Sequence, residues 1–412
     1  MDDISENPFD PMSFALGDDL FGRQDELSWL MNGIRQQAQL LLFGGEGMGK
    51  SSLLEQAGMA LAQRHEGWMI RLDLSLHRST DDLVGSLKSA THQLQRSPEQ
   101  AWQLGVLGDG GKKPVREQNR TSAAYPRSGD GSLSPDLFRT LGELNAFALG
   151  QRGSVVVAFD SCQEMHRFGG ERFENTVMAA VESHAGMSHI LCGDEHGLKA
   201  QSTEGMRTLQ GAFQVEKLGP LEPHAFARWI DARFQSSAIV TRGVGAACVD
   251  LAGPNTAQTV ELAQRTFELS FRARFANEAT VQAALGQAVA AKTDQFAQTW
   301  SSLSAQERSV LLAIGKGGGQ GLLEPNAYRR CGLASDDQAR SAIHSLVDKR
   351  LLDPTGPAGV RIQSAAMKRW TLQAHLGFGK EQKPDGSTAQ ALAFSLNFQR
   401  FTSSVKNKSI AP

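Results

Sequence analysis

Residues 40–54 read Leu-Leu-Leu-Phe-Gly-Gly-Glu-Gly-Met-Gly-Lys-Ser-Ser-Leu-Leu. The apolar residues at the start are typical of a buried strand, and the apolar residues after the glycines repeat at helical spacing. The glycine-rich part matches the phosphate-binding pattern G-x-x-x-x-G-K-[ST], in which Gly44 and Gly49 are the fixed glycines. A strand, a glycine-rich turn and a helix in this order predict a loop that binds phosphate groups.

Each part of this loop has a chemical role in holding a nucleotide. Glycines let consecutive backbone N–H groups turn toward a phosphate, and the positive end of the following helix adds to that attraction. Lys50 is expected to reach the β- and γ-phosphates, and the hydroxyl of Ser51 to hold Mg²⁺. The residues expected to bind the nucleotide are contiguous: Gly44, Gly45, Glu46, Gly47, Met48, Gly49, Lys50, Ser51 and Ser52.

The composition of the whole chain is that of an average globular protein. Its 412 residues suffice for two or three domains, and a formal net charge of -2 shows no bulk basic excess that would favour nucleic acid. The four cysteines occur singly, as expected in a reducing cytoplasm. Because the N-terminus is acidic and no run of about eighteen apolar residues occurs, neither export nor membrane insertion is expected.

Apolar and β-branched runs later in the chain predict further strands, separated by helical patterns. These runs lie at 67–73, 154–160, 188–193 and 213–218. Because strands that alternate with helices form a parallel sheet covered on both faces, the predicted fold class is α/β. Asp160 ends one of these runs, where its carboxylate is expected to hold Mg²⁺ together with Ser51.

Several motifs occur in the order typical of one protein family. They are Phe21-Gly22-Arg23, the phosphate loop, the strand ending at Asp160, Leu218-Gly219-Pro220-Leu221 and Gly253-Pro254. In this order the chain resembles the AAA+ ATPases of the STAND type, and most of all the archaeal-type ATPases and the origin-recognition-like proteins. The resemblance covers roughly residues 19–375 and implies a P-loop domain, a helical lid and a winged helix. It also implies ATP, since no N-K-x-D motif for guanine is present.

The resemblance assigns roles to residues outside the phosphate loop. Phe21 and Arg23 belong to the N-terminal motif that accompanies the nucleotide. Arg207 lies where such ATPases project an arginine toward the nucleotide of the next subunit in a homo-oligomer; the alternative is an ordinary surface arginine. Pro254 lies where a proline packs on the nucleotide, or it simply ends a helix.

One position departs from the pattern of the family. Most AAA+ ATPases carry a glutamate directly after the strand aspartate, and this glutamate polarises the attacking water. Here the residue is Ser161, and the first carboxylate that follows is Glu164. Because a serine is no base at neutral pH, either Glu164 orients the water or hydrolysis is slow.

Changes in pattern along the chain predict the domain boundaries. The predicted parts are a flexible leader at 1–18, an AAA+ domain at 19–220 with a mobile loop at 108–135, a helical lid at 221–292, a winged helix at 293–376 and a polar tail at 377–412. The third unit is predicted as a winged helix because three helical patterns precede a turn and a short strand.

The predicted winged helix carries a local surplus of positive charge. Between residues 300 and 370 there are ten Lys or Arg and six Asp or Glu, a difference of +4. The residues expected to meet a major groove or DNA phosphates are Arg340, His344, Lys349, Arg350 and Arg361. Two aspartates on the same helix would repel phosphates, so a packing role in place of DNA contact stays open.

The sequence thus predicts an ATPase with Mg²⁺-dependent and slow hydrolysis. Nucleotide state is expected to switch assembly of the chain, on double-stranded DNA. One alternative is a signalling switch that recruits an unknown protein partner without touching DNA. Another is an adaptor that is stabilised by the nucleotide and does not turn it over.

Overall fold

A computed structural model describes residues 7–110, 134–194, 211–320, 322, 324, 326–356 and 359–376. These residues form two compact units. The first contains the described part of 1–237 together with 245–264, and the second contains 238–244 and the described residues from 265 onward. The region predicted as a helical lid, 221–292, is divided between the two units.

A parallel sheet of six strands organises the first unit. The strands are β1 (Leu40–Gly44), β2 (Gly67–Asp73), β3 (Val106–Gly108), β4 (Ser154–Asp160), β5 (Met187–Gly193) and β6 (Gln214–Leu218). Their order is β3-β2-β4-β5-β1-β6, and every neighbouring pair is parallel. This sheet confirms the predicted α/β class, and the short edge strand β3 is an addition to the predicted strands.

Helices cover both faces of this sheet, which explains why its central strands are almost continuously apolar. The helices are α1 (Gln24–Arg35), α2 (Lys50–Gln63), α3 (Thr80–Arg96), α4 (Pro98–Leu104), α5 (Pro135–Leu149) and α6 (Glu171–Ser183). One apolar cluster joins the sheet to α1 and α2, and a second joins it to α3, α5 and α6. The phosphate loop lies between β1 and α2, at the carboxyl edge of the sheet.

Residues 7–18, which the sequence predicts as part of a flexible leader, make specific contacts in the first unit. Phe9 is 1% exposed, and its ring lies 5.2 Å from that of Phe234. Further along, the backbone N–H of Ala15 donates to the hydroxyl of Ser52 at 3.1 Å. The leader therefore runs past the first turn of α2, next to the phosphate loop.

Helices follow the sheet, at Pro223–Ser236, Val244–Ala252, Thr256–Ser270, Glu278–Ala291 and Thr293–Ser302. Within the second unit, two short strands, β7 (Val240–Arg242) and β8 (Phe275–Asn277), pair in parallel. In the ranges that the structure describes, no helix combines the length and the apolar character needed to span a membrane.

The rest of the second unit contains four helices and one antiparallel pair of strands. The elements are helices Ala305–Gly317, Ala327–Cys331, Asp336–Asp348 and Ala365–Leu376 and strands β9 (Leu352–Gly356) and β10 (Gly359–Ile362). Their core contains Leu311, Ile343, Leu346 and Val360, all at most 2% exposed. The elements lie at the positions predicted for a winged helix, and the winged-helix assignment itself stays a prediction.

Candidate functional site

The phosphate loop has the backbone that its glycines permit. Gly47 and Gly49 have φ of +76° and +94°, a left-handed backbone conformation that residues other than glycine rarely adopt. Lys50 closes the turn, because its Nζ donates to the carbonyls of Gly44 at 2.9 Å and Gly45 at 2.8 Å. A loop curled around an ammonium at the start of α2 fits a polyphosphate.

Close packing holds the start of this loop against β6. A Cβ added to Gly44 would lie 2.5 Å from the carbonyl oxygen of Leu218, so only glycine fits there. Leu218 belongs to the Leu-Gly-Pro-Leu motif, and Gly44 and Leu218 are partners in the ladder between β1 and β6. The motif thus sets where the loop leaves the sheet.

Arg23 is buried beside the phosphate loop and donates hydrogen bonds to backbone carbonyls there. Its Nη2 donates to the carbonyl of Met48 at 3.1 Å and to that of Gly219 at 2.7 Å, and its Nη1 donates to Glu26 at 2.8 Å. The residue is 4% exposed. Arg23 therefore joins the loop backbone at Met48 to the Leu-Gly-Pro-Leu motif at Gly219.

Phe21, the other residue of the N-terminal motif, packs on aromatic rings. Its ring stacks on Phe226 with centroids 6.2 Å apart and also lies 5.7 Å from the ring of Trp229. Both partners belong to helix Pro223–Ser236. The role of Phe21 as a nucleotide contact stays a prediction.

Asn255 contacts the outer side of the phosphate loop. Its Nδ2 donates to the carbonyl of Glu46 at 2.9 Å, and the N–H of Ala257 donates to the carbonyl of Gly47 at 3.0 Å. A Cβ added to Gly47 would lie 2.5 Å from Asn255 Oδ1. The sequence pattern predicts Pro254 as the contact here and not its neighbour Asn255, although an amide next to a helix break was the available signal for Asn255.

Asp160 lies at the carboxyl end of β4, on the edge that carries the phosphate loop. Its Oδ2 accepts a hydrogen bond from Arg71 Nη1 at 2.9 Å, and its Oδ1 accepts one from the N–H of Ser161 at 2.8 Å. The residue is 2% exposed. Asp73, at the end of β2, is its partner in the parallel ladder.

Arg71 is the centre of a buried group of charges and has no exposed surface. Besides Asp160, its guanidinium lies 3.3 Å from Glu55 Oε2 and 3.7 Å from Asp73 Oδ2. Its Nη2 donates to the carbonyl of Asp109 at 2.8 Å. One guanidinium thus faces three carboxylates, and the positive charge of a bound cation would reduce their mutual repulsion.

Burial raises the pKa of Asp73, and the negative charge of Asp160 raises it further. The hydroxyls of Ser75 and Ser161 and the charge of Arg71 act in the opposite direction. Ser161 itself has φ of +58°, which is unusual for a residue other than glycine. The position after Asp160 is therefore conformationally strained and close to Asp73.

Solved structures share this fold, although no protein-family model and no curated protein matches the chain. The Walker-type ATPase PABY2304 of Pyrococcus abyssi is 17% identical and has a TM-score of 0.59, and the match covers 87% of this chain and 97% of that one. The ORC2 protein of Aeropyrum pernix, in its ADPNP and ADP complexes, is 14% identical and has a TM-score of 0.50, with 87% and 96% covered. The chain has the AAA+ P-loop ATPase fold.

The described part of this AAA+ fold offers oxygen ligands suited to Mg²⁺. No group of three or more His, Cys, Asp and Glu side chains in the described ranges could hold a metal by itself. Mg²⁺ usually takes one or two protein ligands and completes its shell with phosphate oxygens and water. The hydroxyl of Ser51 and the carboxylate of Asp160 are oxygen ligands of the kind that such an ion takes, and their role in holding it stays a prediction.

Glu164 is more exposed than the buried carboxylates Asp73 and Asp160 in this AAA+ fold. It belongs to the 3-10 helix Cys162–Phe168, and its carboxylate lies 3.6 Å from the guanidinium of Arg167. Its side chain is 21% exposed. Arg207, the predicted arginine of the subunit boundary, lies outside the described residues.

Within the second unit, some of the residues predicted to contact DNA form ion pairs. Lys349 donates to Glu307, which also accepts from the hydroxyl of Ser345 at 2.7 Å. Burial raises the pKa of Glu307, but the hydrogen bonds from Lys349, Ser345 and Ser304 outweigh it and lower the pKa to about 2. Lys349 is thus a structural partner of the helix Ala305–Gly317.

The other predicted DNA contacts are spread over the same unit. Arg361 of β10 pairs with Asp353 of β9, with 3.1 Å from its Nε to Oδ2. Arg340 lies 3.9 Å from Asp337, and the Arg340 side chain is 55% exposed. His344 and Arg350 are also exposed. Arg340 and His344 lie one turn apart on the helix Asp336–Asp348, and their contact with DNA stays a prediction.

Proposed function

We propose that this protein binds ATP together with Mg²⁺, hydrolyses it slowly and changes its assembly with the bound nucleotide. The observation that carries the proposal is the position of Lys50, whose ammonium lies inside a curled glycine loop at the start of α2. When a nucleoside triphosphate binds in this loop, its phosphate oxygens would replace the carbonyls that now accept hydrogen bonds from Lys50.

The charges around the loop support the same reaction. When bound, Mg²⁺ would neutralise charge that develops on the transferred phosphate. Ser51 and Asp160 are the residues proposed to hold it, and Arg71 keeps the carboxylate of Asp160 in place through the 2.9 Å hydrogen bond. Arg23 and Asn255 hold the loop in its curled form from outside.

Lys50→Ala tests the proposal through nucleotide binding. In an equilibrium titration with ATP and Mg²⁺, the variant should bind at least about 100-fold more weakly than the wild type, since a charge-assisted contact with phosphate is lost. Lys316→Ala is the matched control, because Lys316 is exposed and lies in the second unit. Equal affinity of Lys50→Ala and the wild type would refute the assignment.

Contact with double-stranded DNA is the second part of the proposal. Its support is the local charge difference of +4 between residues 300 and 370, together with the exposed side chains of Arg340, His344 and Arg350. Fluorescence anisotropy with a labelled duplex should show binding that weakens as salt rises. Arg340→Ala should weaken it, whereas Arg35→Ala, which changes an exposed arginine of the first unit, should not.

A protein that fails to bind duplex DNA even at low salt would instead favour the switch that recruits a protein partner. Assembly is tested separately by light scattering with ATP, with ADP and without nucleotide. A mass that rises with ATP supports the homo-oligomer. A constant mass contradicts a nucleotide-dependent assembly.

A further inference from the structure

Most AAA+ ATPases carry a glutamate directly after the strand aspartate, but this chain has Ser161 at that position. Asp73 lies nearby, because β2 and β4 are neighbours and Asp73 is the ladder partner of Asp160. Adjacent strands are about 4.8 Å apart, so the two backbones end side by side at the carboxyl edge of the sheet. A carboxylate is thus present one strand away from the position where the family carries it.

The carboxylate of Asp73 has one oxygen fixed and one without a hydrogen-bond donor. Its Oδ1 accepts from the N–H of Ser75 at 3.0 Å and from the hydroxyl of Ser75 at 2.7 Å. Its Oδ2 is buried and has no hydrogen-bond partner in the described part of the chain. Arg71 Nη1 is 3.7 Å from it, beyond ordinary hydrogen-bond distance. An oriented carboxylate whose second oxygen meets no described donor at hydrogen-bond distance is suited to hold a water molecule.

Glu164 is less suited to this role. It follows Asp160 by one turn of 3-10 helix, its side chain is partly exposed, and Arg167 lies 3.6 Å away as an ion-pair partner. Asp73, in contrast, has no exposed surface and lies within the group of charges around Arg71. Its surroundings exclude bulk water, as a hydrolytic site requires.

We propose that Asp73 is the catalytic carboxylate that orients the attacking water, in place of the glutamate missing at position 161. The inference rests on the proposed ATPase function. The water oxygen bonds to the γ-phosphorus while the bond from that phosphorus to the β,γ-bridging oxygen breaks. ADP keeps the electron pair of the broken bond, and the proton of the water passes to the Asp73 carboxylate. The products are ADP and inorganic phosphate.

Asp73→Asn is the first test, because it keeps the shape of the side chain and removes its ability to accept the proton. Turnover, measured as phosphate release, should fall by about 100-fold or more. The affinity for ATP with Mg²⁺, measured by calorimetric titration, should stay within about threefold of the wild type, since Asp73 contacts the water and not the phosphates. Asp81→Asn is the matched control at an exposed aspartate, and it should keep both values.

Two further variants keep the test decisive if Asp73→Asn folds poorly. Asp73→Glu keeps the charge but moves the carboxylate by one methylene, and its turnover should fall by about tenfold with unchanged affinity. Asp73→Asn combined with Ser161→Glu puts the carboxylate back at the position that the family uses. This double variant should regain turnover relative to Asp73→Asn, which a merely structural role of Asp73 would not produce.

The outcomes separate this inference from the proposed function. If the wild type turns over ATP and Asp73→Asn does so at the same rate, the role of Asp73 is refuted while the ATPase stands. If Glu164→Gln removes turnover instead, Glu164 is the carboxylate. A wild type that binds ATP with Mg²⁺ and releases no phosphate overturns both the slow hydrolysis and the role of Asp73.

Discussion

Arg71 Nη1 and Asp160 Oδ2 form an ion pair of 2.9 Å in which neither residue is more than 2% exposed. Removing one partner of a buried pair leaves a charge that water cannot reach. Arg71→Met should therefore lower the free energy of unfolding by about 3–5 kcal/mol. Urea denaturation followed by circular dichroism measures this value.

An exposed ion pair supplies the control for this change. Arg35 contacts Glu66 at 2.9 Å, and the two side chains are 41% and 34% exposed. Arg35→Met should cost less than about 1 kcal/mol, because solvent screens the pair. Equal losses in the two variants would show that the Arg71 cluster contributes no more than a surface contact.

Asn255→Ala removes the side-chain donor to the carbonyl of Glu46. The free energy of unfolding should fall by about 1 kcal/mol, and the affinity for ATP should fall as well, because the loop loses an outer support. Asn277→Ala is the matched control, since Asn277 caps the helix Glu278–Ala291 in the second unit. The control should cost about 1 kcal/mol of stability and leave the affinity unchanged. A loss of ATP affinity in both variants would contradict a specific effect on the loop.

The phosphate loop and the strands could be predicted because their signals are local. The glycine pattern of 44–51 is contiguous, and the apolar runs of β2 and β4 are continuous, as both faces of the sheet are covered. The short strand β3 has only three residues, so it carries no period that a sequence pattern could reveal.

The supports of the site could not be predicted, since they join distant parts of the chain. Arg71 appears in the sequence as one charged residue within an apolar run. Its partners Glu55 and Asp160 lie on a helix and on another strand, and no local spacing connects them. Asn255 was visible beside Pro254, but only the folded chain brings it to the carbonyl of Glu46.

His189 makes the stability of the first unit depend on pH. Burial lowers the pKa of His189 to about 3, with a smaller effect from the charge of His184. In the unfolded chain the imidazole of His189 binds a proton near pH 6.5. The stability that depends on a neutral His189 is therefore fully present above that pH and falls as the pH drops toward 3. The free energy of unfolding should change through this group by at most about 1.4 kcal/mol per pH unit.

Thermal unfolding between pH 7 and pH 4 measures this dependence. His189→Gln should flatten the decline relative to the wild type, because the buried ring that resists protonation is gone. His92→Gln, at an exposed histidine, should keep the wild-type slope. Parallel curves for wild type and His189→Gln would contradict the prediction.

Glu307 gives the second unit a separate response to acid. Its pKa of about 2 in the folded protein compares with 4.5 as the ordinary value. The stabilisation by its hydrogen bonds is complete above pH 4.5 and is lost as the pH falls toward 2. Glu307→Gln should lower stability at pH 7 and remove this decline, whereas Glu324→Gln, at an exposed position, should do neither. Calorimetric melting at several pH values between 2 and 5 would show an unchanged decline if Glu307 were unimportant.

The contact between Asn255 and Glu46 joins residues 209 positions apart. During synthesis the glycine motif therefore leaves the ribosome long before the amide that braces it. A fragment that ends at residue 220 would contain the whole G-x-x-x-x-G-K-[ST] pattern and the sheet around it, but it would lack this brace. We expect the loop to reach its final conformation late in synthesis, so that incomplete chains bind little nucleotide.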